Sequence, residues 1–160
     1  MSVIESVGRY SAAIHRLSQS LFNHKLAELE IGSGQHDFFL VIARHEGITQ
    51  KELGDRLYVE KSTTAKAVKH LVAKGYIYKK QIEGDRRYSS LYLTEQGRKA
   101  RVSVEGVFTE MLSIYARNIP EDRVDHTIEI LKQVIGNLQE EKRQYAGEVG
   151  ESAEEVRESE

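Results

Sequence analysis

Apolar residues at Val3, Val7, Tyr10, Ile14, Leu17 and Leu21 recur at alternating steps of four and three. That spacing predicts a helix with one apolar stripe, continued by Leu26 and Leu29 and ended by Ile31-Gly32-Ser33-Gly34. Gln35 to His45 reads as a second helix carrying Phe38, Phe39, Leu40, Val41 and Ile42 in succession. Apolar on nearly every side, it is expected to be well buried. Glu46-Gly47 closes it.

Thr49-Gln50-Lys51-Glu52 has capping-box spacing, so a short helix should run from there to Leu57. Tyr58, Val59 and Glu60 form a tight turn into a further helix, Lys61 to Lys74, with Gly75 as its C-terminal cap. On that helix Thr64, Ala67, Val68 and Leu71 share a face that should pack on Leu53 and Leu57. The opposite face presents Ser62, Thr63, Lys66, Lys69 and His70. Two short helices joined by a tight turn make a helix-turn-helix.

The period then changes to two: Tyr76 to Ile82 alternates like a strand, Glu83-Gly84-Asp85 is a turn, and Tyr88 to Leu93 is a second β-rich run. A hairpin in this place is a wing. Thr94 caps a long helix, Glu95 to Asn118, and Pro120 suits the start of another. Val124, Ile128, Leu131, Val134 or Ile135, and Leu138 form a second heptad-like stripe.

The predicted fold class is mainly α with a small β-hairpin wing, a winged helix-turn-helix flanked by N- and C-terminal dimerisation helices. The corresponding segments are 1–32 (dimerisation helix), 33–97 (winged helix-turn-helix), 98–146 (C-terminal dimerisation helices) and an acidic tail, 147–160. The tail holds six Glu and one Arg and should be disordered or a frayed extension of the last helix. Neither terminal stripe can be buried by a core of about 65 residues alone. Pairing about a two-fold axis would bury both and set two recognition helices about one DNA turn apart, which implies a homodimer on a pseudo-palindromic site.

Charge changes the picture more than composition does. The net charge is only −2, yet Thr49 to Arg101 holds thirteen basic residues against six acids. A basic middle between acidic flanks is the footprint of a polyanion-facing surface. Lys66 can donate to guanine O6 or N7, and Ser62 and Thr63 can serve bases or phosphates. Thr49, Lys61, Lys69 and His70 complete the helix-turn-helix set. Asp85 and Arg87 lie two apart at the hairpin tip and leave one face, so the carboxylate can orient the guanidinium.

The absence of cysteine excludes disulfides, thiolate metal sites and thiol chemistry. The apolar content of 39% includes no run long enough to span a bilayer, and the N-terminus lacks a signal-peptide pattern, so a cytoplasmic protein without a membrane partner is expected. Nucleophile-base pairs, phosphate loops and metal-ligand spacings are missing, so no enzyme and no cofactor are expected. The six His residues (15, 24, 36, 45, 70 and 126) include no i, i+4 pair and read as surface or hydrogen-bonded groups.

Thr-Gln-Lys-Glu-Leu at Thr49 to Leu53, Glu60-Lys61-Ser62-Thr63, Leu71-Val72-Ala73-Lys74-Gly75-Tyr76, Gly-Asp-Arg-Arg at Gly84 to Arg87 and Leu93-Thr94-Glu95-Gln96-Gly97 occur in this order. Together they resemble the MarR family of multiple antibiotic resistance regulators over about residues 1 to 145. The resemblance implies a dimeric winged helix protein, usually a repressor, whose affinity for double-stranded DNA is altered by a small ligand. It implies Arg87 as the minor-groove residue, Asp85 as its orienter and Arg86 as a phosphate contact or salt-bridge partner. It also implies an aromatic or phenolic effector, with Tyr10, Ile14, His36, Phe39 and Tyr115 as candidate lining residues. Some relatives bind zinc against the long helix after the wing, but that helix has no His here. Two departures stand out: Ala65-Lys66 replaces the common Thr-Arg, and Thr64 replaces Val, its hydroxyl expected to bond back to the preceding turn. The alternatives are a winged helix that serves as a protein-interaction module and a metal-responsive regulator of the same fold.

Overall fold

The computed structural model describes residues 6–32, 34–82 and 85–158, without the side chains of 82, 85–88 and 146–158. Ser6 opens α1, Val7–Lys25, by accepting the Arg9 N–H at 3.2 Å. The stripe was expected to run on through Leu29, but the helix stops at Lys25. A 3-10 turn, Ala27–Leu29, follows and ends at Glu30 with φ +50°. This kink swings Leu26 and Ile31 into the core, where each is at most 1% exposed.

Next come α2 (His36–Arg44), α3 (Gln50–Leu57), α4 (Lys61–Ala73), β1 (Ile77–Ile82), β2 (Asp85–Leu93), α5 (Glu95–Ala116) and α6 (Glu121–Glu158). As its composition predicts, α2 is buried nearly all round: His36, Phe38, Phe39, Leu40, Ile42 and Ala43 are all inside. Leu53, Val68, Leu71, Ile77, Leu91, Leu93 and Val104 complete a core between α2, the helix-turn-helix, the hairpin and the start of α5.

β1 and β2 pair antiparallel from Ile77↔Leu93 to Gln81↔Ser89, and a register shift then brings Ile82 opposite Asp85. Asp85, read from the sequence as part of the turn, is therefore the first residue of β2, which begins three residues before Tyr88. Residues 83 and 84 lie outside the described residues.

Two compact units divide the chain, Met1–Leu112 and Ser113–Glu160. The first holds the winged helix together with α1 and most of α5. The second holds α6, which stays helical through the acidic segment to Glu158. Among the described residues no helix is long and apolar enough to cross a membrane.

Candidate nucleic-acid interface

The helix-turn-helix is set by two local devices. Thr49 Oγ1 accepts the Glu52 N–H at 3.3 Å while the Glu52 carboxylate accepts the Thr49 N–H at 2.8 Å, a complete capping box at the start of α3. At Gly54, a Cβ would lie 2.8 Å from Thr64 Oγ1 and 3.0 Å from the Val59 carbonyl oxygen. Only glycine lets α3 and α4 approach this closely. Thr64 is buried, and its hydroxyl donates to the Glu60 carbonyl at 3.1 Å, as its place in the turn suggested.

With Thr64, Ala67, Val68 and Leu71 facing the core, α4 turns Lys61, Ser62, Thr63, Lys66 and Lys69 outward, all exposed. His70 departs from that expectation. At about 100° per residue it sits at the edge of the buried face, not opposite it. It is half-buried, with Nε2 3.2 Å from the Glu30 carbonyl oxygen.

The C-terminal end of α4 is closed by a Schellman motif: Gly75 N–H to the Val72 carbonyl at 2.9 Å and Tyr76 N–H to the Leu71 carbonyl at 3.0 Å. Gly75 takes φ +75°, so the cap read from the sequence is present. The same end is gripped from α5, since Thr94 Oγ1 donates to the Gly75 carbonyl at 2.6 Å and Gln96 Nε2 to the Lys74 carbonyl at 3.3 Å. Thr94 also accepts the Gly97 N–H at 3.0 Å. The Leu93 to Gly97 motif is thus the clasp between helix-turn-helix, wing and α5.

The wing is anchored at its base. Gly47 N–H donates to the Leu91 carbonyl at 2.8 Å and Leu91 N–H to the Ile48 carbonyl at 2.9 Å, with a bridge between Thr49 and Ser90. Glu46 accepts the Leu93 N–H at 3.2 Å and lies 3.5 Å from Arg98. Tyr78 and Tyr92 stack across the strands, with ring centroids 5.6 Å apart. The hairpin therefore leaves a fixed base beside α3. The backbone of Asp85, Arg86 and Arg87 lies in β2, while their side chains lie outside the described ones.

Thr49 is committed to its cap, since its hydroxyl also donates to the Glu52 carboxylate at 2.8 Å. The hydrogen bond from the Thr49 backbone, then that from its side chain, hold the Glu52 carboxyl below the usual glutamate range. The Glu30 carboxyl is likewise lowered, first by its hydrogen bond with Lys74 and then by the charge of that lysine.

The effector-pocket candidates differ in their surroundings. Phe39 is a fully buried core residue, edge-on to Tyr76 with centroids 6.0 Å apart. His36 is buried and stacks on Phe22 at 3.8 Å. Its Nε2 lies 3.3 Å from Asp37, and its Nδ1 has no partner among the described residues. Tyr10 and Ile14 are exposed on α1, and Tyr115 is exposed in the second unit. Clefts of about 310 and 270 Å³ occur elsewhere, one lined by His45, Glu46, Ile48 and Arg56 and the other by Leu29, Tyr76, Gln96 and Lys99. No group of three or more His, Asp or Glu that could hold a metal ion occurs among the described residues.

Helix-turn-helix, paired hairpin and flanking long helices define a winged helix protein. A MarR family model matches residues 31–87, the stretch from the end of the α1 corner to the wing. A MarR transcriptional regulator from Methanosarcina mazei Go1 superposes with a TM-score of 0.72 at 30% identity, over 83% of this chain and 96% of that one. The chain belongs to the MarR family. It is also similar to a MarR family regulator of Listeria monocytogenes solved with a 26mer DNA (TM-score 0.77, 26% identity, 83% of this chain and 89% of that one). Among curated relatives, the uncharacterized HTH-type transcriptional regulator YybA of Bacillus subtilis (strain 168) is 31% identical over 86 residues, which is 54% of this chain. The chain spans 57% of that relative's length.

Proposed function

We propose that this chain is a sequence-specific regulator of transcription that binds double-stranded DNA as a homodimer on a pseudo-palindromic operator and acts as a ligand-responsive repressor. The observation that carries the reading is the division of α4. Thr64, Ala67, Val68 and Leu71 lock one face into the core, and Ser62, Thr63, Lys66 and Lys69 stand exposed on the other. A helix so held offers donors to base edges and phosphates together. In the proposed complex Lys66 addresses a base, Lys61 and Lys69 address phosphates, and the hairpin tip with Asp85, Arg86 and Arg87 enters the adjacent minor groove. The Listeria relative solved with DNA supports this use of the fold.

Support for the dimer comes from α1, where Val7, Tyr10, Ile14, Leu17 and Leu21 form an exposed apolar stripe, with Leu17 69% exposed. A stripe of that length on a helix surface is what a second copy would cover. For the effector, the proposed class is a small aromatic or phenolic compound. Buried His36, stacked on Phe22 and with an Nδ1 that has no partner among the described residues, supplies a polar atom for such a compound.

Selection of bound duplexes from a random pool, repeated with aromatic acids added, tests the reading. A palindromic site should emerge, its binding should weaken steeply with salt, and Lys66→Ala and Arg87→Ala should each lower affinity and the salt slope. If both variants bind the selected duplex as the wild type does, this reading is wrong.

A further inference from the structure

Three contacts tie the far end of α4 to the corner that follows α1. His70 Nε2 lies 3.2 Å from the Glu30 carbonyl oxygen, Lys74 Nζ lies 2.7 Å from the Glu30 carboxylate, and Tyr76 Oη donates to the Leu29 carbonyl at 2.7 Å. A carbonyl oxygen only accepts, so in this contact His70 carries its proton on Nε2. One residue thereby addresses two successive turns of α4, its carbonyl meeting position 70 and its carboxylate position 74.

The corner is itself held firmly. Glu30 has φ +50°, a left-handed backbone that side-chain-bearing residues seldom adopt, and such conformations persist where the surroundings over-determine them. Leu26 and Ile31 on either side are buried. Gly32 N–H donates to Gln35 Oε1 at 3.1 Å, which closes the corner onto the start of α2. By contrast, the N-terminal half of α4 is located by the Gly54 to Thr64 approach. The helix is thus held on α3 at its N-terminal half, and at its far end by the corner beside the Thr94 and Gln96 contacts.

We propose that Glu30 is a positioning residue for DNA recognition. Through His70 and Lys74 it sets the orientation of α4 against α1, and with it the presentation of Ser62, Thr63 and Lys66 to the groove. This rests on the DNA reading of α4 given above. It connects the helix with the exposed apolar stripe to the helix with the exposed lysines, so the geometry of one bears on the other.

Glu30→Gln separates positioning from electrostatics, because the two carry opposite signs. Removing an acidic charge beside a DNA-facing helix should, by charge alone, tighten binding to any duplex. Losing the Lys74 pair should instead weaken binding to the pool-selected duplex roughly two- to fivefold, the range of exposed ion pairs, with random-sequence binding unchanged or tighter. His70→Ala should lower the specific-to-random ratio about fivefold, the worth of one ordinary hydrogen bond. Lys74→Gln removes the ion pair from its other side and should lower the same ratio. The exchanged pair Glu30→Lys with Lys74→Glu should restore the ratio, a rescue that a folding defect would not show. All are measured on the full chain, with helical content checked by circular dichroism. A wild type that selects no duplex would sink the DNA reading and this proposal with it. A wild type that selects a site, with Glu30→Gln, His70→Ala and Lys74→Gln all keeping its specific-to-random ratio, overturns the positioning role alone.

Discussion

Substituting alanine at two glycines of α5 should move stability in opposite directions. Gly106 has nothing within 4 Å of where a Cβ would stand, so Gly106→Ala meets only solvent. The gain there is helix propensity, about 0.8–1 kcal/mol. At Gly97 a Cβ would overlap the Tyr76 carbonyl oxygen, and it would lie 3.1 Å from the carbonyl carbon and 3.3 Å from Leu93 Cδ2. The obstacle is backbone with two commitments. The Tyr76 carbonyl accepts the Thr94 N–H at 3.0 Å and lies 3.2 Å from Thr94 Oγ1.

Relief requires α5 to back away from the junction of α4 and β1. Overpacking of this kind costs about 1–3 kcal/mol, and the loss of one backbone hydrogen bond adds about 1. Set against a propensity gain of at most about 1 kcal/mol, Gly97→Ala should destabilise by roughly 1–3 kcal/mol. The two variants should then differ by about 2–4 kcal/mol, measured as the shift in urea midpoint at fixed protein concentration with an unchanged slope. A Gly97→Ala protein as stable as the wild type would refute the close approach of α5 to Tyr76, and with it the clasp that orients the wing.

Thr49→Ala removes the hydroxyl half of the capping box and should cost about 1 kcal/mol in urea unfolding. Glu52, whose carboxyl is held below the glutamate range, contributes stability that is fully present above its unfolded value near 4.5 and is lost as pH falls through the lowered folded value. Glu52→Gln should therefore flatten the acid limb of a melting-temperature profile below the ordinary glutamate value of 4.5, and an unchanged limb would count against the capping role. Leu71→Ala, at a fully buried position of α4, should cost about 2–5 kcal/mol by chemical denaturation. Leu17→Asp on the exposed α1 stripe should convert the proposed dimer to a monomer by sedimentation at micromolar concentration while helical content is retained; a variant that still sediments as a dimer would place the interface elsewhere.

What could be read from the sequence was mostly what local rules determine. The box at Thr49, the glycine cap at Gly75 and the buried face of α4 depend on residues within one or two turns of each other, and all three are present. The stripe loses its four-and-three spacing after Leu21, and Leu26, five residues on, turns inward at a 3-10 corner where α1 has already ended. Asp85 looked like a turn residue and is a strand residue, since the register shift after Gln81 has no local signature. His70 sits on the wheel between the buried face and the exposed lysines, so the helical period alone does not decide its side. Its partner, Glu30, stands 40 residues away, and no spacing rule reaches that far. Gly97 and Glu46 share this character, for their meaning lies in Tyr76 and in the Leu93 amide and Arg98.

The proposed dimer is needed on energetic grounds as well as to cover the α1 stripe. One α4 exposes few groups able to read bases, and a good bidentate contact discriminates by only about 1–3 kcal/mol. A genome offers roughly 10⁶–10⁹ competing sites, so a lone half-site contact leaves a regulator mostly on the wrong DNA. In the proposed complex Lys66 sharpens this problem, since an ammonium lacks the fork with which a guanidinium grips guanine. Two copies joined through a stripe on α1 would double the discrimination, provided both recognition helices keep a set distance and pitch. A corner that fastens α4 to the end of α1 serves that requirement directly. Loosening it should cost specificity before it costs affinity, because phosphate contacts tolerate a small tilt that base-edge hydrogen bonds do not.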